Sequence, residues 1–332
     1  MTGAGGLTPP APGHLAGEAN RERRIETMKG TTLLITSTAV TALNLSGQAA
    51  AQTDERPVSF EIGTGVEYDS NVALLELDTA TNSGDAIALF DFAVAYDMRS
   101  NSAFDLKAGY NFSETAHDDF DDFDLRIHRG SGTMSYDFGR VDVGSVFQHA
   151  LAELDGDDFM TLTQVSPYFS TLIGERFFLR VAYTRTDKDF DDNPGRAAQA
   201  DAVSSDLYYF VNGLRTYILI GFRYDDEDAN DGQFDYSGNR LRIQLSRRFT
   251  LDSRELTFKV GLRSEQRDYD NETLSIGAAR RDDRLQLEAS GEIPLNDRFT
   301  AGIAYKRANN ESNLPAVDFD EDVLSVTFKA GF

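Results

Sequence analysis

From residue 57 to its end, the chain alternates apolar and polar residues with a period of two. In "SAFDLKAGYNF", Phe104, Leu106, Ala108, Tyr110 and Phe112 share one face, opposite Asp105, Lys107, Gly109 and Asn111. In "ELTFKVGLRSE", Leu256, Phe258, Val260 and Leu262 oppose Glu255, Thr257, Lys259, Gly261 and Arg263. "NRLRIQLSRRF" sets Leu241, Ile243 and Leu245 against Arg240, Arg242, Gln244 and Ser246. The pattern predicts strands over 57–69, 85–97, 102–113, 121–138, 141–153, 159–172, 176–187, 200–212, 215–225, 236–250, 254–267, 281–293, 298–308 and 321–332.

Alternation alone also describes a soluble sandwich, whose polar face is solvated. Three further features separate the two. First, most of these strands run to ten residues or more, whereas a globular strand averages about 5–6 residues and a membrane-crossing strand needs about 9–11. Second, short and long connections alternate. "DMRSN", "FGR", "IGER", "NGLR", "TLDSR" and "PLNDR" suit tight turns, while the long connections surround 70–84, 114–120, 154–158, 188–199, 226–235, 268–280 and 309–320. Third, charge is polarised. "HDDFDDFD", "DGDD", "DKDFDDN", "DDEDANDGQFD" and "DFDED" fall in or beside the long connections; Arg99, Arg140, Arg176, Arg215, Arg254 and Arg298 fall at the short ones. Lipid cannot satisfy an open sheet edge, so the last strand must pair with the first. The fold class expected is all-β: a single transmembrane antiparallel β-barrel of about 14 strands, with short periplasmic turns and long acidic outer loops.

The front of the chain fits export. Residues 1–27 are rich in Gly, Pro and Ala and show no periodicity. Over 28–51, Met28 and Lys29 give a charged start, Leu33 to Leu45 a weakly apolar centre, and Ala49-Ala50-Ala51 a small-residue cleavage site before Gln52. The expectation is a signal peptide over 28–51, an over-extended gene start over 1–27, and a barrel over 52–332. That places the protein in the outer membrane of a Gram-negative bacterium. Its partners would be outer-membrane lipid and lipopolysaccharide.

Composition narrows the chemistry. The 332 residues carry a net charge of −23, no Cys and no Trp, with Phe 23 and Tyr 13. Such acidity speaks against nucleic acid as a partner. Without Cys there is neither a thiolate metal site nor a thiol nucleophile. "DDEDANDGQFD" invites comparison with a calcium-binding EF-hand loop. With Gly232 in the sixth place, the first three ligand positions are Glu227, Ala229 and Asp231, and the middle ligand is missing. The acidic stretches are read as a hydrated rim, with divalent-cation binding as the sharper alternative. His117, His128 and His149 stand on separate segments. His149 could serve a rim hydrolase, but no motif selects a Ser or Asp partner. The reading is that the protein is not an enzyme and needs no cofactor.

The lumen is the remaining candidate site. Alternation turns Lys107, Arg180, Arg240, Arg242, Lys259, Arg263, Lys306 and Lys329 inward, together with Asp105, Glu255, Glu288 and Glu292. Charge inside a pore sets ionic selectivity; equally, opposite charges can pair across the lumen and fill it.

"GVEYDSNV", Gly65 to Val72, resembles the first barrel strand of several outer-membrane families. The chain is similar to the C-terminal barrel of the surface lipoprotein assembly modifiers, and to a loosely defined group of porin-type barrels found near exopolysaccharide genes. Phe222 to Phe249 also looks like a mid-barrel hairpin of the modifiers. The resemblance implies a fourteen-stranded barrel over 57–332 and no catalytic residues. The modifiers usually carry a periplasmic tetratricopeptide domain ahead of the barrel; here Gln52 to Arg56 precede the first strand, which puts cargo handling in doubt. In "DVLSVTFKAGF", Leu324, Val326, Phe328, Ala330 and Phe332 form one row. A terminal Phe332, with Phe328 before it, resembles the signal read by the barrel assembly machinery. Two functions follow as expectations: an export or assembly channel for a surface protein or polysaccharide, or a porin-like diffusion channel for small polar solutes.

Overall fold

A computed structural model describes residues 57–99, 103–251 and 254–332. The expected gene-start extension (1–27) and signal peptide (28–51) lie outside the described residues, as do 52–56.

Among the described residues, fourteen long antiparallel strands close into one barrel. They are β1 (Val58–Asp69), β2 (Asp85–Arg99), β3 (Phe104–His117), β4 (Leu125–Asp137), β5 (Val141–Leu154), β6 (Asp157–Ile173), β7 (Phe177–Phe190), β8 (Ala198–Phe210), β9 (Thr216–Ala229), β10 (Tyr236–Leu251), β11 (Arg254–Thr273), β12 (Ala278–Pro294), β13 (Phe299–Ser312) and β14 (Phe319–Gly331). Each strand pairs with its sequence neighbours, and β14 returns to β1. The seam holds to the last residue: Phe60 N donates to Phe332 O at 3.1 Å and Phe332 N to Phe60 O at 2.9 Å.

The alternation resolves into two faces. On β14, Leu324, Val326 and Phe328 are 49%, 36% and 53% exposed, while their inward neighbours Val323, Ser325, Thr327 and Lys329 are 5%, 5%, 6% and 7% exposed. Apolar side chains therefore cover the outside, and polar ones pack against each other inside. An outer surface of Phe, Leu, Ile and Val belongs in lipid. Aromatic side chains mark both ends of this band. Tyr96, Phe104, Tyr136, Phe138, Phe177 and Phe299 lie near the short turns, Tyr68 and Tyr224 lie nearer the long loops, and Tyr183 and Tyr305 lie midway along their strands. Tyr183 and Tyr305 donate from their hydroxyls to Asp201 and Asp322, each at 2.5 Å, the wet end expected of an interfacial tyrosine.

The short connections follow local turn chemistry. Asn296 Oδ1 accepts from Arg298 N at 2.9 Å and from Phe299 N at 3.0 Å, turning β12 into β13. The long connections are L1 (70–84), L2 (118–124), L4 (191–197), L5 (230–235) and L7 (313–318). Two other expected long connections close as short turns. The expected long loop at 154–158 is a two-residue turn, with Asp155 at φ 51° and Gly156 at φ 82°. Positive φ at both places is what a type I′ hairpin requires. The expected loop at 268–280 contracts to 274–277, because β11 runs on to Thr273 and β12 begins at Ala278. The strands outrun the alternation. Beyond the lipid both faces of a strand meet water or protein, so acidic pairs such as Asp226 opposite Asp201 sit in the ladder without an apolar partner row.

Candidate functional site

The outer mouth of the barrel is built from L1. Tyr68-Asp69-Ser70-Asn71 starts it. Asp69 Oδ1 accepts from Asn71 N at 2.9 Å, an Asx turn. Ser70 is tied to β14, where its N donates to Asp322 O at 2.9 Å and its Oγ accepts from Asp322 N at 2.8 Å. Asn71 Oδ1 then accepts from Asn82 N at 2.8 Å, and Val72 N donates to Ser83 O at 3.0 Å, which fastens the two ends of the loop together. The tip is one 3₁₀ turn, Leu75–Leu77, closed by Asp78 in the left-handed region at φ 53°, ψ 41°. Aspartate tolerates that region better than most residues, and here it carries a carboxylate to the end of the loop.

That carboxylate reaches across the barrel. Asp78 accepts from Arg196 of L4, and at 2.7 Å from Arg280 Nη1 of β12. Arg196 also donates to Glu76 O at 2.9 Å and lies 4.1 Å over the Phe234 ring of L5. L4 joins β7 to β8, half-way round the strand order from β1, so L1 crosses the mouth rather than standing beside it. Glu76 is half-buried there. Burial pushes its carboxyl above the usual range, against the pull of Lys188, Arg267 and Arg196. L4 and L5 are joined in turn: Asn230 N donates to Ala197 O and Asp231 N to Gly195 O, both at 2.8 Å.

Several loop acids serve the backbone. Asp85 accepts from Asp119 N and Phe120 N, each at 3.0 Å through Oδ2, Asp124 accepts from His117 N at 2.7 Å, and Asp235 accepts from Ala229 N at 2.8 Å. Among the described residues, no group of three or more His, Asp or Glu is placed to hold a metal ion.

Below the loops the lumen wall is charged and paired. Two neighbouring rows of inward positions run across the strands. One reads Ser204, Arg223, Arg240, Glu265, Arg284, Asn310; the other reads Asp206, Gly221, Arg242, Arg263, Gln286, Ala308. Glu265 accepts from Arg240 Nε at 2.9 Å and from Arg267 at 3.0 Å. Arg242 reaches Asp206 at 3.1 Å, and Arg223 reaches Asp225 at 3.3 Å. Glu321 gathers Lys306 at 2.9 Å and Arg284 at 3.4 Å. Lys188 meets Glu227 at 2.6 Å.

Each residue read as lumen-lining has a definite place. Lys107 Nζ lies 3.2 Å from Asp97 on β2. Arg180 stacks 3.7 Å over the Tyr168 ring. Arg240, Arg242 and Arg263 stand in the two rows above. Lys259 lies nearer the short turns, opposite Ser246 and Ser290. Glu288 accepts from Gln286. Lys329 is buried on β14, its Nζ without an acceptor. Phe328 and Phe332 point outward at the short-turn end, where Arg298 lies 5.8 Å over the Phe332 ring. Arg223, Arg267 and Arg284 were legible from the same alternation and went unremarked. Asp78, Arg196 and Arg280 carried no such signal.

The histidines do not converge. His128 faces outward, its Nδ1 2.8 Å from Tyr110 Oη. His149, the residue considered for a rim hydrolase, is exposed on the outer face of β5, its Nδ1 3.0 Å from Thr163 Oγ1. His117 bonds Asp124 at the foot of L2.

Comparison with known proteins bears on this barrel. The sequence pattern of the family described as "Surface lipoprotein assembly modifier" matches residues 108–332, from within β3 to the C-terminus. The chain belongs to that family. The modifier barrels are outer-membrane proteins, and this one is an outer-membrane barrel that acts as a pore or export channel. No curated protein matches the chain. Among solved structures, the chain is similar to a "Bacterial polysaccharide outer membrane secretin", with 16% identity, 82% of this chain and 97% of that one covered, and a TM-score of 0.47. It is also similar to an "Anion-selective porin from Comamonas acidovorans", with 10% identity, 83% and 98% covered, and a TM-score of 0.47. A third is OccAB3 from Acinetobacter baumannii, with 10% identity, 83% and 99% covered, and a TM-score of 0.45. At these scores no role passes from those proteins to this modifier barrel.

Proposed function

We propose that this barrel is an export or assembly channel of the surface lipoprotein assembly modifier type, held shut at its outer mouth and opened when cargo or a partner displaces L1. The observation that carries the reading is the double hold on Asp78, from Arg196 on the far side of the mouth and from Arg280 on β12. A loop pinned across the entrance suits a channel that opens on demand, whereas in a diffusion pore it would set the size cut-off. An export barrel needs such a closure, because an open lumen would leak between cargo events. The cargo is an exported surface protein or polysaccharide. The outward apolar band meets lipid, and the hydrated acidic rim faces lipopolysaccharide. The barrel assembly machinery reads β14 through Phe328 and Phe332. The separate positions of the three histidines support a non-enzymatic role.

Planar-bilayer conductance of the refolded protein tests this. The wild type is expected to stay silent for most of the record. A variant with 73–81 replaced by a short Gly-Ser linker is expected to conduct steadily. Steady conductance of the wild type at the level of that variant would overturn the reading in favour of a porin-like diffusion channel for small polar solutes.

A further inference from the structure

Exposed arginines have different company at the two ends of the barrel. Towards the long loops, outward Arg126, Arg185, Arg281 and Arg307 each meet a carboxylate of a neighbouring strand. The partners are Glu114 at 2.7 Å, Asp201 at 2.5 Å, Asp268 at 2.6 Å and Asp322 at 3.4 Å. At the short-turn end, Arg140, Arg176 and Arg298 stand exposed on turns, Arg254 opens β11 and Arg247 lies on β10. Among the described residues, none of these five has a carboxylate within ion-pair distance. The acids exposed at that end are Glu175, Glu255 and Asp297. Glu255 is taken by Arg215 at 3.4 Å, and neither Glu175 nor Asp297 forms an ion pair with the arginine that follows it.

These arginines are set into the inner aromatic band. Arg140 follows Phe138, whose ring lies 4.7 Å from that of Tyr136. Arg176 precedes Phe177, which stacks on Tyr209 at 5.0 Å. Arg298 lies 5.8 Å over the Phe332 ring. Arg247 is the most telling. It shares the outward parity of Leu241, Ile243 and Leu245, and it stands opposite Thr216 and Phe258. Its side chain therefore leaves the wall on the lipid side, four residues before β10 ends at Leu251. Arg254 has the same outward parity as Phe258. A cation on a lipid-facing wall is costly unless it reaches the interface and finds a counter-charge. The long stem lets each guanidinium snorkel to the headgroups. With no carboxylate of the protein there, the counter-charge has to come from the membrane.

We propose that this belt binds anionic phospholipid of the inner leaflet, of the phosphatidylglycerol class. A guanidinium fork matches two oxygens of the lipid phosphate, and the ring beside it packs at headgroup level, where interfacial aromatics are favoured. Charge complementarity selects the occupant, because an anionic leaflet attracts arginines held at its surface. The outward parity of Arg247 and Arg254 favours lipid over a soluble acidic partner, which would meet the turn tips instead. The inference holds for an export channel and for a diffusion pore alike.

The test uses the refolded full barrel in phosphatidylcholine vesicles, with chain-spin-labelled phosphatidylglycerol and phosphatidylcholine as probes. Electron spin resonance gives the relative association of the two lipids with the barrel, and heat-modifiable migration reports folding. The wild type is expected to prefer phosphatidylglycerol, and the preference should fall as salt rises. In R247Q/R298Q the preference should drop at least about tenfold, because each arginine at an anionic surface contributes about 1 kcal/mol. The long-loop-end variant R281Q should match the wild type. Equal association of both lipids with the wild type overturns the proposal and leaves the belt to an acidic periplasmic partner. A preference that is unchanged in R247Q/R298Q, or that ignores salt, overturns it too. If R247Q/R298Q fails to fold, the turn variant R140Q/R176Q carries the same test, and a wild-type preference there is equally fatal. None of these readings needs an open channel, so this proposal and the export reading fail separately.

Discussion

Removing the Asp78 carboxylate should release L1 from the mouth. In Asp78→Ala two charged contacts disappear together, one to Arg196 and one at 2.7 Å to Arg280. The groups are shielded. The Asp78 side chain is 12% exposed, that of Arg280 5% and that of Arg196 19%, so solvent screening takes little from the effect. A charge-assisted hydrogen bond contributes about 1.5–3 kcal/mol. Two would suggest twice that, but neither arginine is left alone. Arg280 keeps Asp282 at 2.7 Å. Arg196 keeps Glu76 O at 2.9 Å and the Phe234 ring at 4.1 Å. The net cost to the docked loop is therefore about 2 kcal/mol, roughly thirtyfold in the ratio of docked to free L1. Amide hydrogen exchange of the refolded protein reads that ratio directly. The amides of 72–81 should exchange about thirtyfold faster in the variant, while those of β10 and β11 stay unchanged. Asp78→Asn, which keeps the shape and loses the charge, should fall between. Equal exchange of L1 in wild type and Asp78→Ala would refute the pinned-loop account, because the loop would then be held by its own turns and by packing.

Deleting Phe332 should lower outer-membrane assembly while leaving export intact, since it removes the terminal aromatic and both backbone bonds to Phe60; normal amounts of heat-modifiable barrel would contradict this. L1 docking should also depend on pH. Docked L1 holds the Glu76 proton more tightly than free L1, because burial raises that carboxyl. Docking is then strongest at and below the usual glutamate range of about 4.3 and weakens as pH rises through the raised value. Protection of 72–81, corrected for intrinsic exchange, should decline as pH rises above the usual glutamate range of about 4.3 in the wild type and stay flatter in Glu76→Gln. The same slope in both would remove Glu76 from the account.

How far the fold was legible follows from particular strands. The row Leu324, Val326, Phe328 stood out because each side chain alternates with a polar one, and lipid on the outside enforces that alternation at every position. The same parity placed Arg240, Arg242, Lys259 and Arg263 inside, and it would have placed Arg223 and Arg284 too. Strand ends were harder to read. Past the lipid, β11 continues through Asp268 and, after a register shift, to Thr273 with no apolar row to mark it. The hairpin at Asp155-Gly156 sits among acids that read as loop, yet positive φ at both positions makes it the tightest turn available.

By itself, then, the sequence determined the period of two, the closed sheet it demands in lipid, the outward apolar rows and the inward charged ones. These are local properties: a side chain's face depends only on whether its place in the strand is odd or even. Tertiary structure alone decided which charges meet. Asp78 finds Arg196 across 118 residues and Arg280 across 202. The two arginine-rich rows exist only because six strands come into register. No periodicity encodes contacts of that range. They arise when the sheet closes on itself and brings L1 over the mouth.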